Sequence, residues 1–243
     1  MEHLKGIVLR TVKYGENGLI IDLFTDSHGR MSVVSRRPPR GSKASHTATS
    51  AHLMPLSLVE FECDIHGQGQ LPRPHYLSVY HHYQTLQQHP VKVMLSMFIA
   101  EFLTQAMREV DTDPLLYRYL EYSLLWLDTT RASFANFHLV FLIRLTRFLG
   151  IYPDVQAKKQ GFYFDLMTCG YSTNQPLHPH FLHPSEAASL PYIIGMNYDN
   201  MHLYRLSRQQ RHRCLEVINN YYRLHLPGFG ELRSIDILRE VFD

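Results

Sequence analysis

Arg30, Arg36, Arg37, Arg40 and Lys43 fall inside a stretch, residues 27–59, that holds no Asp or Glu. Cations at such close intervals can each neutralise a phosphate and release its condensed counterion, so the chemistry on offer is capture of a polyanion backbone. The chain as a whole is close to neutral. Its 24 Lys and Arg against 22 Asp and Glu leave a formal charge of +2 over 243 residues, so positive charge is concentrated rather than spread. Pro38, Pro39, Gly41 and Ser42 keep the stretch out of a regular ladder. The plainer alternative is a solvated loop with a chance excess of Arg. Lys5, Arg10, Lys13 and Arg73 extend the candidate patch. Tyr14, Phe24 and Tyr76 are aromatic side chains that could stack on bases, although core for Phe24 and rim for the tyrosines is the simpler expectation.

Other residue types offer less. Leu177-His178-Pro179-His180-Phe181-Leu182-His183-Pro184 places three imidazoles within six residues, and imidazole suits zinc or nickel. A metal-dependent hydrolase built on His178, His180 and His183 is therefore one reading. It lacks a neighbouring cysteine pair or a His-Glu-x-x-His helix, and the prolines hold the segment extended. Cys63, Cys169 and Cys214 are odd in number and far apart, which argues against a disulfide framework and fits a reducing, cytoplasmic setting. Neither phosphate-binding glycine loops nor a Gly-x-Ser-x-Gly elbow occurs. Glu60, Glu62 and Asp64 resemble an acid cluster, but strict alternation with Val59, Phe61, Cys63 and Ile65 makes them the solvent face of a strand. No signal peptide or membrane-spanning run is expected: the apolar run Leu139–Ile143 is cut by Arg144 and Arg147.

The elements that must position these residues divide in two. Ile7–Val12, Leu19–Phe24, Met31–Val34, Val59–Ile65 and Leu77–Tyr80 read as five short strands, with a turn at Asp26-Ser27-His28-Gly29. A small closed barrel follows, the OB-fold being one candidate. After Tyr83 the pattern is helical. One helix opens at Pro90 and runs to about Glu109, and a second opens at Asp113-Pro114. A third runs from about Ser133 to Leu149 with a Phe134, Phe137, Phe141, Phe148 stripe and Gly150 as its stop. Residues 151–184 read as irregular. Ser207 and Gln210 form a capping box, and Ser234 could cap a last helix. The expected fold class is α+β in two parts, a β-barrel over residues 1–82 and an all-helical domain over 83–243. An OB-fold RNA-binding or translation-associated module fits the same first part.

The order of these features resembles the bacterial RecO family of DNA repair and recombination proteins. The resemblance covers nearly the whole chain. It runs through Gly6-Ile7-Val8-Leu9, Gly18 to Phe24, Thr25-Asp26-Ser27-His28-Gly29-Arg30, the basic stretch and Leu53-Met54-Pro55-Leu56. It continues through Phe148-Leu149-Gly150-Ile151-Tyr152-Pro153, Tyr221 to Leu226 and Leu232 to Leu238. No single segment is diagnostic; their order and spacing are. The resemblance implies an OB-fold followed by a helical domain, without enzymatic activity or a cofactor. It implies binding of single- and double-stranded DNA, annealing of complementary strands, and help to the RecA recombinase in displacing single-strand-binding protein. Implied partners are RecR and the acidic C-terminal tail of single-strand-binding protein, and the implied setting is cytoplasmic and nucleoid-associated. Arg30, Arg36, Arg37, Arg40 and Lys43 match the basic stretch that such proteins use for DNA. Two departures stand out. Many relatives carry a four-cysteine zinc module where residues 154–185 here keep Cys169, so no zinc is expected. Basic residues that help hold the acidic tail in some relatives are matched here by Leu139 and Val140, which leaves Arg144 and Arg147 as the candidates for that role.

Overall fold

The structure, a computed structural model, describes residues 1–16, 18–36, 53–65, 71–108, 110–153, 155 and 161–241. Five strands come first: β1 (Glu2–Tyr14), β2 (Gly18–Thr25), β3 (Gly29–Arg36), β4 (Leu58–Cys63) and β5 (Tyr76–His81). Helices α1 (Pro90–Ala106), α2 (Pro114–Thr129) and α3 (Phe137–Phe148) follow. Three short strands, β6 (Tyr163–Asp165), β7 (Gly170–Ser172) and β8 (Phe181–Leu182), precede α4 (Pro184–Ala187), α5 (Leu190–Ile194), α6 (Arg208–His225) and α7 (Ser234–Val241). They form two compact units. The first holds Met1–Thr129 and Leu232–Val241, so the barrel keeps α1, α2 and α7; the second is built on Thr130–Glu231.

The five strands make one antiparallel sheet in the order β3-β2-β1-β4-β5. β1 serves both halves. Its first part pairs with β4 and its later part with β2. At the outer edge of β3 the Val34 N–H donates to the carbonyl of Pro72, in the segment leading into β5, at 2.9 Å, which links the two ends of this OB-type sheet. Leu4, Val8, Leu23, Val33, Val59, Phe61 and Leu77 fill the interior. Gly6 packs closely there: a Cβ would sit 3.4 Å from both Leu23 and Phe61. On the outside, Ile7 and Phe24 are also fully buried, and α1 packs against β1.

A buried carboxylate joins the barrel's exit to the helices. Asp128 near the end of α2 accepts backbone N–H bonds from Gln84 at 3.0 Å, Thr85 at 2.8 Å and Leu86 at 2.8 Å. Burial pushes its pKa up, but these three N–H groups and His81 outweigh that and hold it below the usual carboxylate range. The buried Lys92 ammonium donates to Thr85 Oγ1 at 2.7 Å and to the Asp128 carbonyl at 3.1 Å.

In the second unit, Ser207 and Gln210 close the expected capping box, opening an 18-residue α6. Gly150, at φ 69°, ends α3 in the left-handed conformation that glycine tolerates. Three expectations need correction. The helical part is not all-helical, and residues 151–184 are not wholly irregular: β6, β7 and β8 form a small antiparallel sheet in the order β7-β6-β8. Strands of two or three residues are too short to print a period of two. The third helix also starts later than Ser133. Asn136 spends its side-chain amide on the carbonyls of Met201 at 3.0 Å and Tyr204 at 2.8 Å, and it makes no side-chain cap.

Candidate nucleic-acid interface

Strand register decides which candidate residues share a face. Arg10 lies opposite Asp22, which lies opposite Ser32; Tyr14 lies opposite Gly18, which lies opposite position 36. Side chains of paired residues point to one face, and every second residue along a strand does the same. Leu23, Ile21 and Val33 face the core, so Arg10, Tyr14, Asp22, Arg30 and Ser32 belong to the outer face. A one-residue β-bulge between Val8 and Arg10 makes this possible. Before it, even-numbered residues of β1 point inward; after it, odd-numbered ones do.

Asp22 organises that face. Its side chain is 5% exposed and accepts from Arg10 Nε at 2.5 Å and Ser32 Oγ at 2.5 Å, with Arg30 Nη2 at 3.6 Å. Burial raises its pKa, yet the Ser32 and Arg10 hydrogen bonds and the two guanidinium charges hold it below the usual range. Arg10 remains 57% exposed and gives Asp22 its Nε, so the rest of its guanidinium can meet a phosphate. Arg30 is 20% exposed and also donates Nη1 to the Thr104 carbonyl of α1 at 2.9 Å, so it ties the barrel to α1. Sequence reasoning missed Asp22. Its signal is a lone acid inside the apolar run Leu19–Phe24.

The other candidates are placed as follows. Lys13 is exposed beyond the buried part of β1, opposite Leu19. Lys5 is exposed in the first part of β1, opposite Glu60, with its ammonium 4.9 Å from the Tyr80 ring centroid. Arg73 is exposed ahead of β5. Arg36 ends β3, while Arg37, Arg40 and Lys43 lie outside the described residues. Acids lie among them too: Asp22 on the same face, and Glu16 exposed in the β1–β2 turn. Glu60 and Glu62 flank His3 at 3.7 Å each, Asp64 meets His75 at 3.0 Å, and Glu2 meets His28 at 2.8 Å. Of the three aromatic candidates, Phe24 is buried and Tyr76 is bonded to Ser78 at 2.6 Å and Glu60 at 3.3 Å, whereas Tyr14 is 58% exposed.

In the second unit, Arg144 and Arg147 line a cavity of about 250 Å³ with Ile143, Val155, Ile194 and Met196. The Arg147 guanidinium lies 4.4 Å from the Tyr152 ring centroid and donates to its hydroxyl at 3.0 Å. The Arg144 guanidinium lies 5.8 Å from the Tyr198 centroid. Leu139 and Val140 are fully buried. The three histidines take protein partners: the His180 backbone N–H donates to His178 Nδ1 at 3.2 Å. His178 meets Asp165 at 3.3 Å, His180 meets Asn220 at 3.3 Å, and His183 packs edge-on against Phe181. A four-thiolate zinc site does not fit the residues around Cys169. It is the one cysteine between residues 151 and 185, and its sulfur lies 3.0 Å from Tyr221 Oη and 3.7 Å from His225 Nε2, which itself bonds the Leu166 carbonyl.

Comparison with known proteins decides the family. The model described as "Recombination protein O N terminal" matches residues 1–80, and "Recombination protein O C terminal" matches residues 87–234. The chain belongs to the RecO family. Among its relatives is the "DNA repair protein RecO" of Phocaeicola vulgatus, 42% identical over 237 residues, which are 98% of this chain and 97% of that one. The Bacteroides fragilis protein of the same description is 43% identical over 239 residues, 98% of each chain, and that of Porphyromonas gingivalis is 32% identical over 243 residues, again 98% of each. Membership makes this a DNA repair and recombination protein of the RecO family, and a non-catalytic one. Among the described residues, no helix is long and apolar enough to cross a membrane.

Proposed function

We propose that this RecO-family protein is a mediator of recombinational repair that binds single- and double-stranded DNA and anneals complementary strands. In this reading it also assists RecA in loading onto DNA coated with single-strand-binding protein. The observation that carries the DNA site is the outer face of β1–β3, where register groups Arg10, Arg30 and position 36. The mechanism is physical rather than covalent. Cations offset phosphate repulsion, so two strands, or a strand and a recombinase, can approach. Arg10, Lys13 and the basic residues from Arg36 to Lys43 are the phosphate contacts in this reading, with Lys5 peripheral and Arg30 holding the face in shape. Residues 1–82 are the DNA-binding part and 83–243 the part that meets partners, RecR among them. The Arg144 and Arg147 cavity, with cations beside apolar walls, suits the acidic C-terminal tail of single-strand-binding protein.

Binding of a fluorescent single-stranded oligonucleotide across a salt series tests this. With about five phosphate contacts, the log–log slope of affinity against salt is about −3.5. The Arg36→Glu, Arg37→Glu double variant is expected to lose most of that affinity with its fold intact. Unchanged affinity at low salt would remove the basic stretch from the site. Preferential binding of the matching RNA would turn the reading towards an RNA module.

A further inference from the structure

Beyond the bulge the character of β1 changes. Residues 10–14 are exposed on both faces of the strand, whereas Leu4 to Leu9, Lys5 excepted, are buried. The end of β1 is thus an exposed stretch of strand, while β2 beside it stays paired with β3 as far as Gly18 and Leu19 still packs on the core. Two features mark the start of that stretch. The bulge falls at Leu9, and Asp22 clamps Arg10 next to it.

At the tip, Tyr14 lies opposite Gly18. A Cβ on Gly18 would collide with the Tyr14 carbonyl oxygen and would stand 3.3 Å from Tyr14 Cδ1. The glycine thus admits the close approach of the Tyr14 backbone and of one edge of its ring. The side chain is still 58% exposed, so much of the ring is open to solvent. An aromatic ring held close to the backbone and largely open to solvent loses little freedom when a flat partner settles on it. Arg10 stands on the same face four residues back along the strand, and Lys13 is the adjacent residue on the other face. Cations spaced around an exposed ring are the arrangement by which proteins stack bases while holding the phosphates on either side.

We propose that the exposed end of β1 is a base-stacking platform for single-stranded DNA, with Tyr14 as the stacking residue and Arg10 and Lys13 as its flanking phosphate contacts. The proposal rests on the DNA-binding reading above and assigns the single-strand contact of that same site. In a duplex the faces of internal bases are covered by their neighbours, so Tyr14 favours single strands over duplex.

The test uses the full chain and two probes of equal length and charge, an oligothymidylate and an oligomer of abasic sites. The wild-type protein is expected to bind the oligothymidylate more tightly. Tyr14→Ala is expected to lower oligothymidylate affinity about 5- to 150-fold, to leave abasic and duplex binding in place, and to keep the salt slope unchanged, since stacking releases no counterion. Tyr14→Phe retains the ring and is expected to keep the preference; equal thermal melting of the variants shows that the fold is intact. Wild-type binding of oligothymidylate that Tyr14→Ala leaves unchanged, or that falls equally for both probes, would overturn the stacking role and spare the DNA-binding reading. Wild-type protein that binds neither probe at low salt would overturn both.

Discussion

Glu101 on α1 receives the N-terminus of α7. Its carboxylate accepts from the Arg233 N–H at 2.9 Å, from the Ser234 N–H at 2.8 Å and from the Ser234 hydroxyl. The first turn of a helix has N–H groups without partners inside the helix, and here a residue 133 positions earlier supplies the cap. Glu101→Ala is expected to cost about 1–2 kcal/mol, read by denaturant titration. Burial raises the Glu101 pKa, but the Ser234 and Arg233 bonds hold it below the ordinary value. A depressed folded pKa means that the contribution is complete above the unfolded value and fades as pH falls through the folded one. The stability gap between wild type and Glu101→Gln should thus be widest near neutrality and shrink below about pH 4. A gap that widens in acid would refute the cap.

Arg30 and Lys13 should separate under mutation. Arg30→Ala loses the bond to Thr104 and a neighbour of Asp22, so stability should fall by about 1–3 kcal/mol. Lys13→Ala should leave the melting temperature unchanged and make the single-strand salt slope shallower by about 0.7. The reverse pattern would exchange the two roles.

Asp128→Asn is expected to cost about 3 kcal/mol, because the three N–H groups of residues 84–86 would face a neutral side chain in a buried site. Lys92→Met should cost less. Thr85 Oγ1 still donates to the Asp128 carbonyl at 2.5 Å, and an apolar chain escapes the desolvation that lowers the Lys92 pKa. Comparison of the two unfolding midpoints checks the order.

An acidic peptide with a terminal aromatic residue should bind the Arg144 and Arg147 cavity. Arg144→Glu with Arg147→Glu is expected to weaken it at least about tenfold, measured by fluorescence anisotropy, while oligonucleotide binding stays within about twofold. Equal loss of both ligands would argue for one shared surface.

The strands, the main helices and the Ser207–Gln210 box were legible in the sequence because each rests on local rules of period or capping. Glu101 under Ser234, Asn136 bound to Met201 and Tyr204, and the β6–β8 sheet were not, because they join residues far apart or strands too short to show a period. At the candidate site the positive charge was visible as composition. Its distribution was not: nothing in the one-dimensional pattern places Arg10 and Arg30 on either side of the buried Asp22, or leaves Tyr14 exposed while Tyr76 is bonded to Ser78. Arg36 to Lys43 stand as sequence-level expectations.

The bulge at Leu9 also sets a phase. β1 obeys one inside–outside alternation up to Val8 and the opposite one from Arg10. Were the pairing to slip by one residue so that the irregularity vanished, Leu9 would face Asp22 and Arg10 would face Ile21. Every side chain from Arg10 to Tyr14 would then exchange faces, driving a guanidinium towards the barrel interior. One surplus residue thus acts as a reading-frame marker for the strand, and the functional face exists only in one of its two frames.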